Sequence, residues 1–305
     1  MKNNKTIVAV VVTYNRPNEL KMVVHALLNQ TYPLARVVVL DNASPLHAQQ
    51  VLEDHPNLTI VRHTSNSGGA GGFALGMSAA LEHLPSLDWM WLMDDDAVPH
   101  LDALERLVED GCVQIENTQN QSVSAPVGAL CCAVIEFNTL ALVHRRYFNR
   151  QMGLERSVSK EKYSSNQSIE IDTGSFVGFL VSKTAVDAVG LPDAQFFLAY
   201  DDTDYSLRLK EKNFSIWLVP TSKINHLRAA SRLRNTPFSH KHYYNIRNRI
   251  VVMQRHTRFR LMASIVASLM GLGVLWLSGG WRMVSKVKLC WSAIKDGFNQ
   301  HMGPR

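Results

Sequence analysis

The stretch WLMDDDAVP, residues 91–99, sets three adjacent carboxylates directly behind an apolar, strand-forming run. Carboxylates packed this closely repel one another unless a cation offsets their charge. Hard divalent ions such as Mg²⁺ or Mn²⁺ take oxygen ligands and bridge phosphates. A helix N-cap would need only one Asp. The apolar run Trp89–Met93 therefore reads as a strand that delivers Asp94, Asp95 and Asp96 to a metal–phosphate site.

Working outward, strand and helix signals alternate. Ile7–Thr13 and Ala35–Leu40 are short, β-rich apolar runs, and Leu58–Arg62 is a third. Asn18–Gln30 carries helical spacing through Leu20, Val23, Val24, Leu27 and Leu28, and Gly72–Leu84 reads as a second helix. This alternation predicts an α/β fold with a mostly parallel sheet and helices on both faces. Polar residues follow three strands, at Thr13–Arg16, Asp41–Ser44 and Asp94–Asp96. Open α/β sheets bind ligands at that edge. From Val127 to Val219 the chain is more strand-like, with polar loops such as Glu155–Gln167. A helix is expected over Thr203–Lys212 and a strand over Phe214–Val219.

Three further segments carry chemistry. FFLAYDDTDYSLRLK, residues 196–210, places Asp201, Asp202 and Asp204 just before a helix, where a carboxylate can serve as a general base or simply complement the helix dipole. In VPTSKINHLRAAS, residues 219–231, His226 follows Asp202 by 24 positions and could join an acidic cluster as a metal ligand. NSGGAGGFALG, residues 66–76, has four glycines in five positions and opens a helix, so its backbone can approach a ligand closely. It matches neither G-x-G-x-x-G nor a P-loop.

Composition narrows the class. The chain has 305 residues, 46% hydrophobic and 19% charged, without long polar tracts, which excludes disorder, collagen and coiled coil. Cys112, Cys131, Cys132 and Cys290 form no C-x-x-C pair, and the N-terminal apolar run is too short for a signal peptide, so a cytoplasmic setting is expected. Charge divides the chain. Residues 1–222 hold 17 Lys/Arg against 25 Asp/Glu, and residues 223–305 hold 15 against the single acid Asp296. The first part is read as the catalytic domain and the second as a basic, hydrophobic helical region. Leu261–Trp281 is a run of 21 uncharged residues flanked by Arg258, Arg260, Arg282, Lys286 and Lys288. Beyond it Trp281, Val284, Val287, Trp291, Ile294 and Phe298 recur at helical spacing among basic residues, the pattern of a helix lying in a membrane interface. An anionic membrane surface is thus an expected partner, ahead of a membrane span or a homo-oligomer interface. Tyr243, Tyr244 and Arg247–Arg249 are expected near an acceptor or its diphosphate. No nucleic-acid module accompanies them.

The ordered set VVVTYNRP (10–17), VLDNAS (39–44), NSGGAGGF (66–73), WLMDDDA (91–97), YDDTDYSLR (200–208) and NH (225–226) resembles the inverting family-2 glycosyltransferases of GT-A fold, and within them the bacterial galactofuranosyltransferases. The resemblance implies that Thr13 and Arg16 line a nucleotide pocket and that Asp41 reads the uracil ring. It sets Asn66 with the glycine loop, Gly68 and Gly69, along the sugar-nucleotide. Asp94, Asp96 and His226 would hold Mn²⁺ or Mg²⁺, and Asp95 would face the donor. Asp202 would be the catalytic base, with Asp201 binding hydroxyls. Tyr200 stands where related enzymes often carry a Trp, and would serve as the aromatic platform. The implied reaction moves galactofuranose from UDP-galactofuranose to a lipid-linked or polysaccharide acceptor, as in O-antigen or galactan synthesis, at the inner face of the cell membrane. A rhamnosyltransferase using dTDP-rhamnose and a non-catalytic nucleotide-sugar-binding scaffold are the alternatives.

Overall fold

The computed structural model describes residues 5–112, 125–227 and 236–305. Its centre is strand β1 (Ile7–Thr13), buried along its whole length. Alternate side chains enter opposite layers, as strand geometry requires. Val8, Val10 and Val12 pack with Phe73 and Met77, whereas Ile7, Ala9 and Val11 pack with Leu20, Val23, Val24 and Leu27. The first layer is covered by helix α2 (Gly68–His83) and the second by α1 (Pro17–Leu28), whose Pro17 sits in the first turn where its missing N–H costs nothing. Helices on both faces explain why β1 reads as a continuous apolar run.

The neighbours of β1 are β2 (Arg36–Asp41) and β4 (Trp89–Asp94), both parallel to it, and β3 (Leu58–Arg62) continues in parallel beyond β2. The chain thus builds outward on one side of β1 and then returns to the other. That reversal makes the β1/β4 edge the switch point where α/β sheets bind ligands. The register pairs Val12 with Asp94, so the residues after β1 and the carboxylates after β4 emerge side by side. The sheet extends past β4 through β8 (Phe179–Ser182), β6 (Val127–Glu136), β9 (Ser215–His226) and β7 (Ile169–Ile171), where antiparallel pairs join the parallel β6/β9 pair. A separate three-stranded sheet combines Arg145–Phe148, Glu155–Ser157 and Thr173–Gly174.

Two local features shape the site. β5 (Ala97–Pro99) follows the triple Asp directly and pairs antiparallel with the end of β9, His226 opposite Ala97. β9 reaches it because its register against β6 shifts between Val219 and Lys223, an interval that holds Pro220, a residue tolerated at such irregularities. The boundary expected between residues 222 and 223 falls within this strand.

The basic region is helical. Helices α4 (His240–His256), α5 (Arg260–Leu277) and α6 (Val284–Phe298) share a third core, into which Phe196 and Leu207 of the preceding domain also insert. α3 (Asp201–Glu211) lies between this core and the sheet. α5 is long and apolar enough to cross a membrane by length and composition. One side, with Ala263, Ala267, Gly271 and Leu275, is buried; Leu261, Met262, Ile265, Leu269, Met270, Trp276 and Leu277 are exposed.

The glycine run serves packing as well as any ligand. A Cβ on Gly72 would lie 2.4 Å from Val12 Cγ1, and one on Gly76 2.6 Å from Val10 Cγ1. These glycines let α2 press onto β1. Gly76→Val is expected to overpack that seam and lower the unfolding free energy by about 1–3 kcal/mol, read by equilibrium denaturation of the purified protein.

Candidate active site

The carboxylates that follow β4 cap no helix. Ala97–Pro99 is a strand and the next helical turn begins only at Ala103. Asp94, Asp95 and Asp96 instead line a cleft of about 550 Å³, together with Arg16, Asn66, Gly68, Gly69, Asp201, Asp202 and His226. The structure therefore brings together most of the residues singled out from the sequence.

Each acid is offset differently. Asp95 is buried, and burial pushes its carboxyl up to about 6 against the opposing pull of Arg16, Thr13 and Tyr14. Thr13 Oγ1 donates to Asp95 Oδ2 at 2.8 Å, the Tyr14 N–H donates to the same oxygen at 3.1 Å, and Arg16 Nη1 donates to Oδ1 at 3.1 Å. Arg16 also pairs with Asp96. Thr13 thus acts beneath Asp95 and is not itself among the cleft-lining residues.

Asp94, Asp96 and His226 each offer a ligand atom within 4.8 Å of the others. His226 Nε2 lies 3.3 Å from Asp96 Oδ1, while Nδ1 meets Glu136 Oε1 at 2.7 Å. Burial opposes the charged imidazole, but Asp96, Glu136 and Asp94 outweigh it and raise the His226 pKa. Glu136 is itself held down to about 2, first by the hydrogen bond from His144 and then by His226. His144 bridges Glu136 Oε1 at 3.1 Å and Ser175 Oγ at 2.7 Å, and stands edge-to-face against the His226 ring. Two carboxylates and an imidazole suit Mn²⁺ or Mg²⁺. A carboxylate on the far nitrogen of the imidazole is the support that metal-binding histidines use. The donor set fits the divalent ion that the sequence implies. Glu136 and His144 belong to no local motif that the sequence displays: Glu136 ends β6 beside β9, and His144 ends the short helical turn Leu142–His144.

Asp201 and Asp202 open α3. Burial, and then the charge of Asp202, push Asp201 well above the usual carboxylate range. Asp202 is half-buried in the cleft wall; its Oδ1 accepts the Thr203 N–H and the Thr203 hydroxyl at 3.1 Å, and Arg146 Nη2 donates to that hydroxyl at 3.0 Å.

Other residues singled out from the sequence lie outside the cleft wall. Asp41 is not in the cleft wall. Its carboxylate accepts the N–H groups of Ser44 and Ala48 and the Arg62 guanidinium at 2.8 Å, and so fixes the loop after β2. Backbone hydrogen bonds and Arg62 outweigh burial and lower its pKa. The neighbouring Asn42 takes the cleft position and holds the glycine loop: Nδ2 donates to the Gly68 carbonyl at 2.9 Å and Oδ1 accepts the Ser67 N–H at 2.9 Å. Tyr200 does not line the cleft; Tyr14, Phe73, Phe176 and Phe197 supply its aromatic surface. Tyr243, Tyr244 and Arg247 are buried in the helical core and absent from the cleft wall, where Lys241 represents α4.

Glu136→Ala is expected to weaken Mn²⁺ affinity about 10–100-fold in calorimetric titration, with metal-free UDP binding unchanged. Equal Mn²⁺ affinity in the variant would remove Glu136 from the site.

Residues 8–110 match the family described as Glycosyl transferase family 2. Over 213 residues the chain is 31% identical to galactofuranosyltransferase GlfT1 of Mycobacterium tuberculosis H37Rv, covering 67% of this chain and 64% of the relative. It is 29% identical to GlfT1 of Mycolicibacterium smegmatis over 210 residues, 68% of this chain and 67% of the relative. The chain thus spans about two thirds of the length of these relatives. The dTDP-rhamnosyl transferase RfbF of Shigella flexneri is 22% identical, with 83% of this chain and 81% of the relative covered. The fold is similar to that of GalNAc-T7, solved with UDP, GalNAc and Mn²⁺ (TM-score 0.54, 13% identity, 82% of this chain and 51% of that one). It is also similar to S. aureus TarS (TM-score 0.52, 14% identity, 89% and 43%). Sequence and architecture agree: the chain is a family-2 glycosyltransferase with a GT-A fold, similar to bacterial galactofuranosyltransferases.

Proposed function

We propose that the protein transfers galactofuranose, with inversion, from UDP-galactofuranose to a hydroxyl of a lipid-linked or polysaccharide acceptor in cell-surface glycan synthesis. One observation carries the reading: the Asp94–Asp96–His226 donor set and the acid pair Asp201–Asp202 face a single cleft at the sheet's switch point. The similarity to the GlfT1 proteins supports the donor.

The chain's own groups divide the work. Residues at the ends of β1 and β2 and the glycine loop receive the nucleotide-sugar. Asp94, Asp96 and His226 would hold a divalent ion, Mn²⁺ or Mg²⁺, which when bound would supply Lewis-acid compensation for the negative charge of the diphosphate. Asp202 accepts the proton of the acceptor hydroxyl as that oxygen bonds to the anomeric carbon. The bond from that carbon to the diphosphate breaks on the opposite side, releasing UDP and inverting the centre. Asp201, whose pKa is raised by burial and by Asp202, would in its protonated form donate a hydrogen bond to a sugar hydroxyl. Arg16 and Lys241 add positive charge to the same wall.

Asp202→Asn is expected to keep donor binding and to lower turnover by at least about 10²–10⁴-fold, measured as UDP release with Mn²⁺. Normal turnover in that variant would sink the base assignment. Comparing UDP-galactofuranose with UDP-galactopyranose, UDP-glucose and dTDP-rhamnose tests the donor; preference for dTDP-rhamnose would keep the mechanism and replace the sugar. Release from none of them, with the donors still bound, would favour a binding scaffold.

The reading places the enzyme peripherally on the inner face of the cell membrane. α5 turns an uncharged, apolar side outward, ending at the stacked pair Trp276–Trp281 with Arg282 over the latter ring. Its other side is committed to α4, so it suits a surface attachment better than a span. Arg258, Arg260, Arg282, Lys286 and Lys288 flank it in the sequence, and such positive charge complements anionic headgroups and disfavours pairing with a second copy. Co-sedimentation with vesicles of phosphatidylglycerol and phosphatidylcholine is expected, weakened by salt and lost in Leu269→Glu. Self-association without vesicle binding would reassign the face to a second copy.

A further inference from the structure

The segment that leads into Asp201 and Asp202 is held in an unfavourable backbone conformation. Phe197, Ala199 and Tyr200 have φ of 61°, 67° and 67°. None is glycine, and L residues with a Cβ resist this region. Phe197 centres a γ-turn with ψ −57°, in which the Leu198 N–H donates to the Phe196 carbonyl at 2.7 Å. That form of the turn is rare and strained. Such backbone persists only where its surroundings over-determine it.

The surroundings come from α4. Asn248 is fully buried, and its Nδ2 lies 2.9 Å from the Phe196 carbonyl, 2.8 Å from that of Leu198 and 2.8 Å from that of Ala199, its two hydrogens shared among the three acceptors. All three acceptors belong to the strained segment. Arg247, also buried, donates from Nη2 to Phe196 O at 2.9 Å and from Nε to Asn248 Oδ1 at 2.8 Å, bracing the amide. On the opposite side the Ala70 N–H donates to Phe197 O at 3.2 Å. Gly68, at φ +72°, approaches so closely that a Cβ there would sit 2.0 Å from that oxygen. The segment is thus gripped between the glycine loop and α4.

We propose that Asn248, braced by Arg247, is a positioning residue for the catalytic base: it holds residues 196–200 in the left-handed path that aims the start of α3, and with it Asp202, into the cleft. This rests on Asp202 being the base. The helical region would then be part of the catalytic machinery as well as an attachment for acceptor and membrane.

The test compares full-length parent, Asn248→Ala and Asn248→Ser. It measures UDP affinity with Mn²⁺, kcat by UDP release, and amide hydrogen exchange over residues 196–202. The expected result for Asn248→Ala is unchanged UDP affinity, kcat lower by about 10²-fold, and faster exchange confined to that segment. Adding Ala199→Gly should recover part of the lost kcat, because glycine takes the left-handed region without help. Should Asn248→Ala not fold, Asn248→Ser, which keeps a single donor group, carries the same comparison. Parental kcat, or a loss that follows the folded fraction with exchange at 196–202 unchanged, would overturn the proposal. Loosened exchange together with a fully active Asp202→Asn enzyme would instead overturn the base assignment and leave the clamp standing.

Discussion

Five carboxylates, Asp94, Asp95, Asp96, Asp201 and Asp202, face one cleft, and most of what surrounds them answers their mutual repulsion. Like charges in a low-dielectric wall disfavour one another's ionisation. Arg16 spans Asp95 and Asp96 from the loop after β1, and Thr13 and the Tyr14 N–H support Asp95. His226 stands against Asp96 with Glu136 behind it. For Asp201, burial and the charge of Asp202 shift the balance toward the neutral carboxyl and raise its pKa. The acids therefore differ in environment although they are chemically alike, and the proposed division into one base and several ion-holding ligands depends on that difference.

The arrangement is assembled from distant parts of the chain. The short strand Ala97–Pro99 gives the end of β9 something to pair with, and that pairing delivers His226 to the triple Asp. The Leu227 N–H then donates to the Asp96 carbonyl at 2.8 Å, carrying the antiparallel pairing one residue further. On the far side, α4 ties down α3 as well as the segment before it. His256 Nε2 lies 2.9 Å from Asp204 Oδ1, and Arg255 Nη1 donates to the same oxygen at 3.1 Å. Catalytic domain and basic helices thus share buried polar contacts, which removing either would leave unsatisfied.

The alternating elements of the first hundred residues are legible in the chain without its fold, since hydrophobic spacing along a strand or helix is a local property. β3 was read at Leu58–Arg62 to the residue, and β1 at Ile7–Thr13. It also exposed the acid runs and His226, because ordered motifs survive without tertiary context. The helical character of residues 261–298 was legible for the same reason, whereas the N-terminal turn of α2 at Gly68 was hidden by glycines that carry no periodicity.

Which side chains meet follows from the folded arrangement. Asp41 follows its strand as the motif suggests, yet three donors from its own loop and β3 turn it into a structural brace, and Asn42 takes the place beside the glycine loop. Glu136, His144, Arg247 and Asn248 carry no local signature. They gain their roles from a register shift in β9 and from the docking of α4. Local spacing fixes which face of an element is apolar, but the partner of each polar end is chosen by long-range pairing, where buried donors and acceptors must all be satisfied at once.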